Sequence, residues 1–80
     1  MKQLESTIQT SIIERYERDG YSVVKIGLCN KQGFPVLMAL KDGEVLFIEV
    51  KRPGQKPRPL QEYRHKELRE QGFEVLILTE

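Results

Sequence analysis

Apolar residues change their spacing several times along the chain, and each change predicts a new structural element. Near the start, apolar side chains recur every four positions, at Leu4, Ile8, Ile12 and Tyr16. This is the spacing of one face of an amphipathic helix. We expect the helix to run from about Gln3 to Asp19 and to stop at Gly20, a residue type that commonly ends helices.

Three dense apolar segments follow and predict β-strands. Residues 21–28, 36–41 and 44–51 are rich in β-branched and aromatic side chains. Asp42-Gly43 separates the second segment from the third, and this pair favours a tight turn between antiparallel strands. The next stretch, RPGQKPRP, carries three prolines and one glycine, which prevent regular pairing and predict a loop.

A second helix and a last strand complete the pattern. Pro59 suits the first turn of a helix, where its missing N–H costs nothing, and we expect the helix to end at Gly72. Its apolar side is predicted to consist of Leu60, Tyr63 and Leu68. Residues 73–79 form an almost unbroken apolar run, typical of a strand covered on both faces. The predicted fold class is therefore α/β, a small mixed β-sheet flanked by helices in the order α-β-β-β-α-β, with the last two strands parallel.

The length of 80 residues favours a single domain, 1–80, which is too small to bury much of its surface alone. Dimerisation would relieve this by hiding apolar faces. The single cysteine, Cys29, excludes an intrachain disulfide and a thiolate zinc cage, and it suits a reducing cytoplasm. Because no apolar run approaches the roughly 20 residues of a membrane helix, we expect no membrane partner. The polar, amphipathic start is not expected to be a signal peptide.

Positive charge is concentrated in one part of a chain whose net charge is only +1. Residues 51–66 contain six Lys or Arg and one Glu, a local charge of +5 that leaves −4 for the remainder. Such asymmetry is typical of a face that binds an anionic partner. A solvated basic loop and helix face would have the same composition, so charge alone leaves both interpretations open.

Two charged residues, Glu49 and Lys51, end the apolar third strand. Side chains alternate along a strand, so these two point to one face while Leu46, Ile48 and Val50 point to the core. The pair could be a surface ion pair, worth at most ~1 kcal/mol if exposed. It could also be a working pair, in which the carboxylate holds a hard divalent cation. The lysine would then activate water or stabilise charge on a phosphate.

The residues around Glu49 and Lys51 help to decide between a surface ion pair and a working pair. Gly33-x-Pro35 begins the second strand, Ile48-Glu-Val-Lys51 ends the third, a proline-rich basic loop follows, and Leu60-Gln-x-Tyr63 opens the second helix. With these pieces in this order, about the last 50 residues resemble the VRR-NUC nucleases, a branch of the PD-(D/E)XK superfamily. The N-terminal helix fits the same pattern. The resemblance implies the restriction-endonuclease-like core of that superfamily.

The activity of the family gives expectations for this chain. Its members hydrolyse phosphodiester bonds with Mg²⁺ or Mn²⁺, and stand-alone viral and bacterial members look like homodimeric Holliday-junction resolvases. The resemblance therefore implies a metal-dependent, structure-selective DNA endonuclease that acts on branched or double-stranded DNA, at four-way junctions. It also implies a homodimer in the cytoplasm of a bacterial or phage-infected cell.

The resemblance assigns roles to the residues that match the family motifs. Glu49 is a metal ligand, Lys51 is the catalytic lysine, and the backbone carbonyl of Val50 is a further ligand. Gln61 faces the site and helps to position water or phosphate; the alternative is a helix-surface amide. Glu5 reaches the metal through water; the alternative is a first-turn acid that favours the helix dipole.

One position departs from the family pattern. Where the family has an aspartate that binds metal directly, this chain has Val36, which supplies no oxygen. Losing one charge ~4 Å from a dication, at an effective dielectric of about 20, removes several kcal/mol of gross attraction, so we expect weak metal binding and slow or absent cleavage. Asp42 lies six residues on, about 20 Å along an extended strand, and cannot easily take its place. Val36 is either an inactivating change in a nuclease or a natural variant kept for binding.

The basic loop and second helix supply candidate DNA contacts at Arg52, Lys56, Arg58, Arg64 and Lys66. Contacts of this kind to phosphates give salt-dependent affinity without sequence preference. His65 is expected on the helix surface, and Cys29 in a loop or as a small buried residue without a redox role. Two other functions stay open. One is a DNA-junction-binding dimer with no catalytic role, and the other is a small interaction module in which Glu49 and Lys51 form only an ion pair.

Overall fold

A computed structural model describes residues 4–79, and this range contains two helices and four strands. They are α1 (Glu5–Arg18), β1 (Ser22–Lys25), β2 (Leu37–Lys41), β3 (Glu44–Val50), α2 (Pro59–Glu70) and β4 (Glu74–Leu78). The order α-β-β-β-α-β confirms the prediction from sequence. The expected helix start at Gln3 lies outside the described residues, and β1 is shorter than the predicted segment 21–28. Neither α1 nor α2, the helices of this range, is long and apolar enough to cross a membrane.

The four strands form one sheet in the order β1-β2-β3-β4. β1, β2 and β3 pair antiparallel, whereas β4 runs parallel to β3, as a β-α-β crossover through α2 requires. Asp42 and Gly43 turn β2 into β3 with φ values of 53° and 78°. Two positive φ values are typical of a type I′ hairpin turn, and this turn sets the register in which Leu37 faces Ile48.

The face of the sheet under α1 carries the larger apolar core. Alternate residues of β2 and β3 meet two residues of α1 in a cluster of Ile8, Ile12, Leu37, Ala39, Ile48 and Val50. Each of these side chains is 1% exposed or less. Because burying a large aliphatic side chain contributes about 1.5–3 kcal/mol, this cluster anchors α1 and the middle strands.

The opposite face, under α2, has a smaller apolar cluster formed by Phe47, Leu68 and Val75. The prediction that Leu60 and Tyr63 lie with Leu68 on the buried side of α2 is wrong, because those two side chains are 43% and 54% exposed. The inward side of the helix carries Gln61, His65 and Leu68, which recur at helical spacing. Two of these three inward residues are polar.

Gly33 lets the loop before β2 approach the start of α2 closely. Its φ is +81°, and a Cβ at this position would lie 2.8 Å from the carbonyl oxygen of Leu60. Glycine tolerates both conditions because it has no side chain. The close approach holds the first turn of α2 against the loop that leads into β2.

β4 lies at the edge of the sheet and pairs with β3. The prediction that both of its faces are covered is wrong, because Val75 is buried but Ile77 is 41% exposed. Leu68 of α2 covers the start of the strand around Val75. Ile77, nearer the end of the strand, is left partly in solvent.

Candidate active site

Glu49 and Lys51 lie where β3 ends and the loop to α2 begins. Ile48 and Val50 point into the core under α1, so strand alternation turns Glu49 and Lys51 towards the face under α2. Lys51 Nζ lies 3.8 Å from Glu49 Oε2, which confirms that the two side chains are neighbours on one face. The alternative of an exposed ion pair is wrong, because Glu49 is 1% and Lys51 is 8% exposed.

Burial changes the acidity of Glu49. Removal from water raises the pKa of its carboxyl from the usual 4.5 to about 7. The positive charge of Lys51 acts in the opposite direction, and the negative charge of Glu5 adds to the rise in pKa. A carboxylate that is this costly to ionise would be stabilised by a further cation beside it.

Gln61, in the first turn of α2, is held at both ends of its amide. Its Oε1 accepts a hydrogen bond of 2.8 Å from the backbone N–H of Arg58, and this contact also caps the helix. Its Nε2 donates a 3.4 Å hydrogen bond to Glu49 Oε2. The structure thus brings Gln61 to Glu49, and its role in positioning water or phosphate stays a prediction.

His65 lies one turn further along α2 and is also directed at Glu49. It is 1% exposed, so the expectation of a surface histidine is wrong; residue 65 follows Gln61 by four positions and shares its inward side. The Nε2 atom lies 3.9 Å from Glu49 Oε1, and neither atom has a hydrogen-bond partner among residues 4–79. Burial, followed by the positive charge of Arg69, lowers the pKa of His65 and favours the neutral ring.

A cleft of about 650 Å³ opens beside these residues and has a strongly basic wall. It is lined by Glu5, Lys51, Arg52, Gln55, Lys56, Arg58 and Gln61. Four of these seven side chains are cationic and one is acidic. Because a cleft lined by one sign of charge concentrates ligands of the opposite sign, it suits an anionic ligand such as a phosphate ester.

Glu5 begins α1 and reaches the same cleft. It is half-buried, and its charge acts on the pKa of Glu49, so the two carboxyl groups lie within electrostatic range of each other. The first-turn position also suits the helix dipole. The structure thus brings Glu5 to the site. It is equally consistent with the alternative that Glu5 is only a first-turn acid that favours the helix dipole.

The five candidate DNA contacts separate into two groups. Three of them line the cleft: Arg52, Lys56 and Arg58. Arg64 and Lys66 lie outside this lining in the described part of the chain. The Nε of Arg64 donates to the carbonyl of Gln32 at 2.9 Å, and Nη1 pairs with Glu67 Oε1 at 2.9 Å. Arg64 therefore ties α2 to the loop before β2.

Val36 directly precedes β2. Because Leu37 pairs with Ile48, the antiparallel register extended by one residue places Val36 beside Glu49. The valine side chain is half-buried and packs against the apolar cluster under α1, so it fits its surroundings without adding an oxygen. Residues 4–79 contain no group of three or more His, Cys, Asp or Glu side chains placed to hold a metal ion.

Gln9 is a second buried polar residue that sequence reasoning missed. It is 8% exposed, and its Oε1 has no hydrogen-bond partner within the described residues. It follows Glu5 by one helical turn and lies next to Ile8 in the apolar stripe of α1. A polar residue within the width of an apolar stripe is the signal that could have identified it.

A comparison with curated proteins finds a related sequence, although no protein-family model matches the chain. The relative is "Putative nuclease p44" of Acyrthosiphon pisum secondary endosymbiont phage 1, which is 32% identical over 75 residues. The match covers 92% of this chain and 81% of that protein. The similarity therefore extends over nearly the whole chain.

Several solved structures share the fold, and two of them are similar over most of this chain. One, described as a VRR_NUC domain, has a TM-score of 0.84 and 32% identity, and the match covers 94% of this chain and 83% of that chain. Another, described as a VRR_NUC domain protein, has a TM-score of 0.82 over 99% of this chain and 79% of that chain. Its identity is 19%, so it supports the fold alone.

Proposed function

The chain belongs to the VRR-NUC family of nucleases, and from this premise we propose that it is a metal-dependent, structure-selective DNA endonuclease weakened at one ligand position. The observation that carries the proposal is the buried Glu49, held by Lys51 and Gln61 at the wall of a basic cleft. A shielded carboxylate and a fixed ammonium beside an anion-binding surface can together serve phosphodiester hydrolysis.

The residues around Glu49 suit a hard divalent cation, Mg²⁺ or Mn²⁺. Burial raises the pKa of Glu49 to about 7, and its Oε2 lies beside Lys51 and Gln61, which line the cleft, so a cation on the Oε2 side would stabilise a carboxylate that is costly to ionise. These cations prefer oxygen ligands, which we assign to Glu49, to the backbone carbonyl of Val50 and, through water, to Glu5. When bound, such an ion supplies positive charge to a phosphate and lowers the pKa of bound water.

Lys51 and Gln61 contribute the charge and the positioning that side chains can supply. Lys51 lines the cleft at only 8% exposure, and a fixed cation shielded from water strongly stabilises charge that grows on a phosphate. Gln61 is already held by Arg58 and Glu49, so it can orient water or phosphate without first losing conformational freedom.

The basic wall of the cleft binds the DNA backbone through Arg52, Lys56 and Arg58. Phosphate contacts give affinity without sequence preference, so recognition depends on the shape of the DNA, as with a four-way junction. Arg64 and Lys66 stay predictions as further contacts. Of these two, Arg64 already has partners for its guanidinium in Gln32 and Glu67.

Val36 is the reason to expect weak cleavage. Position 36, which the extended register places beside Glu49, carries an apolar side chain, whereas an acid there would add carboxylate charge near a bound cation. Water can fill a coordination position there but cannot replace the charge. The same residue favours the second candidate function, a non-catalytic dimer that binds branched DNA.

We further propose a homodimer that acts in the cytoplasm of a bacterial or phage-infected cell. A two-fold dimer matches the two-fold symmetry of a four-way junction. Partly exposed apolar side chains are available for an interface on both edge strands, including Val24 on β1 and Ile77 on β4. Cys29 is free and exposed, which suits a reducing compartment. A monomer in sedimentation at high micromolar concentration would contradict the dimer.

The test is cleavage of a four-way junction with Mn²⁺ by Val36→Asp. We expect cleavage to exceed that of the unaltered chain and to vanish again in the double variant Val36→Asp/Lys51→Ala. Val36→Asn is the matched control, because it has the shape of aspartate without the charge. A folded, DNA-binding Val36→Asp protein that does not cleave would favour the binding dimer. DNA affinity that is independent of salt would contradict both candidates.

A further inference from the structure

α2 presents two polar side chains, one helical turn apart, to the two oxygens of a single carboxylate. Gln61 Nε2 donates to Glu49 Oε2 at 3.4 Å, and His65 Nε2 lies 3.9 Å from Glu49 Oε1. We propose that His65 is a positioning residue whose Nε2–H donates to Glu49 Oε1 and fixes the carboxylate, leaving the Oε2 side turned to the cleft. The proposal rests on the function proposed above and adds a residue to its site.

The burial of both groups supports a contact between them. His65 is 1% exposed, and His65 Nε2 and Glu49 Oε1 are both buried without hydrogen-bond partners within residues 4–79. Buried polar atoms are generally paired, because leaving one unpaired loses its hydrogen bonds to water. A neutral imidazole has one donor nitrogen, so closing the gap by about 1 Å would satisfy both atoms at once. Hydrogen bonds at catalytic sites are often long in the unliganded protein and shorten when the site is loaded.

The geometry also separates His65 from a role as a cation ligand or base in the cleft. The cleft is lined by Lys51 and Gln61 on this side, and His65 is not among its lining residues in the described chain. His65 instead approaches the Glu49 oxygen that Gln61 does not contact. Ligating carboxylates are commonly held from behind by such hydrogen bonds, and loss of one typically weakens metal affinity or activity roughly 10- to 100-fold.

The first measurement tests the contact without metal or DNA. His65 is the single histidine of the chain, so a long-range ¹H–¹⁵N spectrum reports its tautomer without overlap. We expect the proton on Nε2, and we expect Glu49→Gln to shift the Nε2 resonance. Glu67→Gln, which removes a carboxyl from the same helix, is the control and should not shift it. A bare Nε2 with the proton on Nδ1, or a resonance that ignores Glu49→Gln, would overturn the proposal.

The second measurement tests positioning, by Mn²⁺ titration calorimetry in the Val36→Asp background. His65→Leu removes the donor at similar volume and should weaken Mn²⁺ binding roughly 10- to 100-fold. His65→Gln keeps an N–H donor and should restore most of the affinity, whereas Glu67→Gln should have no effect. Equal affinities of the Leu and Gln variants would overturn a positioning role. The tautomer measurement needs no His65 variant, so a folding defect in His65→Leu leaves the proposal testable.

The two measurements separate failure of this proposal from failure of the proposed function. Absence of Mn²⁺ binding by Val36→Asp, together with the expected tautomer and shift, would contradict the metal-dependent function and leave the His65–Glu49 contact standing. Mn²⁺ binding without the expected tautomer would overturn the His65–Glu49 contact and leave the metal-dependent function standing.

Discussion

The two faces of the sheet use the same strands for different purposes. Under α1, six apolar side chains close into a cluster with almost no exposure. Under α2, the apolar cluster has three members, and Glu49, Lys51 and His65 lie buried on the same face. Strand β3 serves both faces, because Ile48 and Val50 alternate with Glu49 and Lys51.

This difference separates stability from chemistry within one short chain. Apolar burial on the α1 side stabilises the strands. Keeping charged groups out of water on the α2 side opposes folding, and the α1 side offsets this cost. The burial is what raises the pKa of Glu49 to about 7. Substitutions in the apolar cluster under α1 should therefore mainly lower the free energy of unfolding. Substitution of Glu49 on the α2 face should instead alter how that free energy depends on pH.

The largest effect on stability is expected from the α1 face. Ile48→Ala leaves a cavity in the centre of the apolar cluster and should lower the free energy of unfolding by about 2–5 kcal/mol in chemical denaturation. Ile77→Ala on the edge strand is the matched control, because Ile77 is 41% exposed and should cost much less. Equal losses for the two variants would contradict the assignment of stability to this face.

On the α2 face, Glu49 should make stability depend on pH. Its pKa is about 7 when folded and near 4.5 when unfolded, so the folded chain holds the proton more tightly. The resulting stabilisation is complete below about pH 4.5 and is lost as the pH rises through 7, a change of about 3 kcal/mol. The Glu49→Gln variant has no carboxyl group at this position, so its stability lacks this dependence on pH.

The measurement is the difference in unfolding free energy between the original chain and Glu49→Gln from acid to neutral pH. We expect the original chain to lose stability relative to the variant over this range. His65 has a lowered pKa and acts in the opposite direction, with stability lost as the pH falls, but it is present in both proteins. Two parallel curves would contradict the buried, hard-to-ionise carboxylate.

A smaller effect is expected where the loop before β2 meets α2. Gly33→Ala and Gly54→Ala both place a side chain at positive φ, +81° and +85°. Only the first introduces a close contact, because a Cβ at Gly33 lies 2.8 Å from the Leu60 carbonyl and none of the described atoms lies within 4 Å at Gly54. Both should lose about 1 kcal/mol from backbone strain, and Gly33→Ala should lose more in thermal unfolding. Equal losses would show that this contact does not hold α2.

The smallest effect concerns DNA affinity. Arg58→Ala should reduce the slope of log affinity against log salt by about 0.9, the value for one phosphate contact. Arg64→Ala should change the slope less, because Arg64 is engaged with Gln32 and Glu67. Fluorescence anisotropy at several salt concentrations measures both slopes. A larger change for Arg64 would place the DNA along the outer side of α2 rather than in the cleft.

The sequence was sufficient for those parts of the site that depend on local geometry. Alternation along β3 is enough to put Glu49 and Lys51 side by side, and Asp42-Gly43 is enough to pair β2 with β3. These rules involve neighbouring residues only, so they need no knowledge of how the helices pack.

The sequence was insufficient where the inward side of a helix decides the outcome. Leu60 and Tyr63 suggested an apolar side for α2, whereas the sheet faces Gln61, His65 and Leu68. The rotation of α2 depends on long-range contacts, including the Arg64 bond to Gln32 from the loop before β2. The four-residue spacing of Gln61 and His65 was the available signal, but it acquires meaning only once Glu49 is known to lie opposite.

The central claim is that the chain has a metal-dependent nuclease site in which position 36 lacks one charge. The most direct test is the Mn²⁺ affinity of the isolated protein, measured by calorimetry for the original chain, Val36→Asp and Val36→Asn. Because one carboxylate near a dication contributes several kcal/mol of gross attraction before solvent compensates, we expect Val36→Asp to bind at least roughly 10-fold more tightly. Val36→Asn should gain little, and Glu49→Gln added to Val36→Asp should abolish the gain. Equal affinities for all three proteins, or a gain that survives Glu49→Gln, would contradict the account.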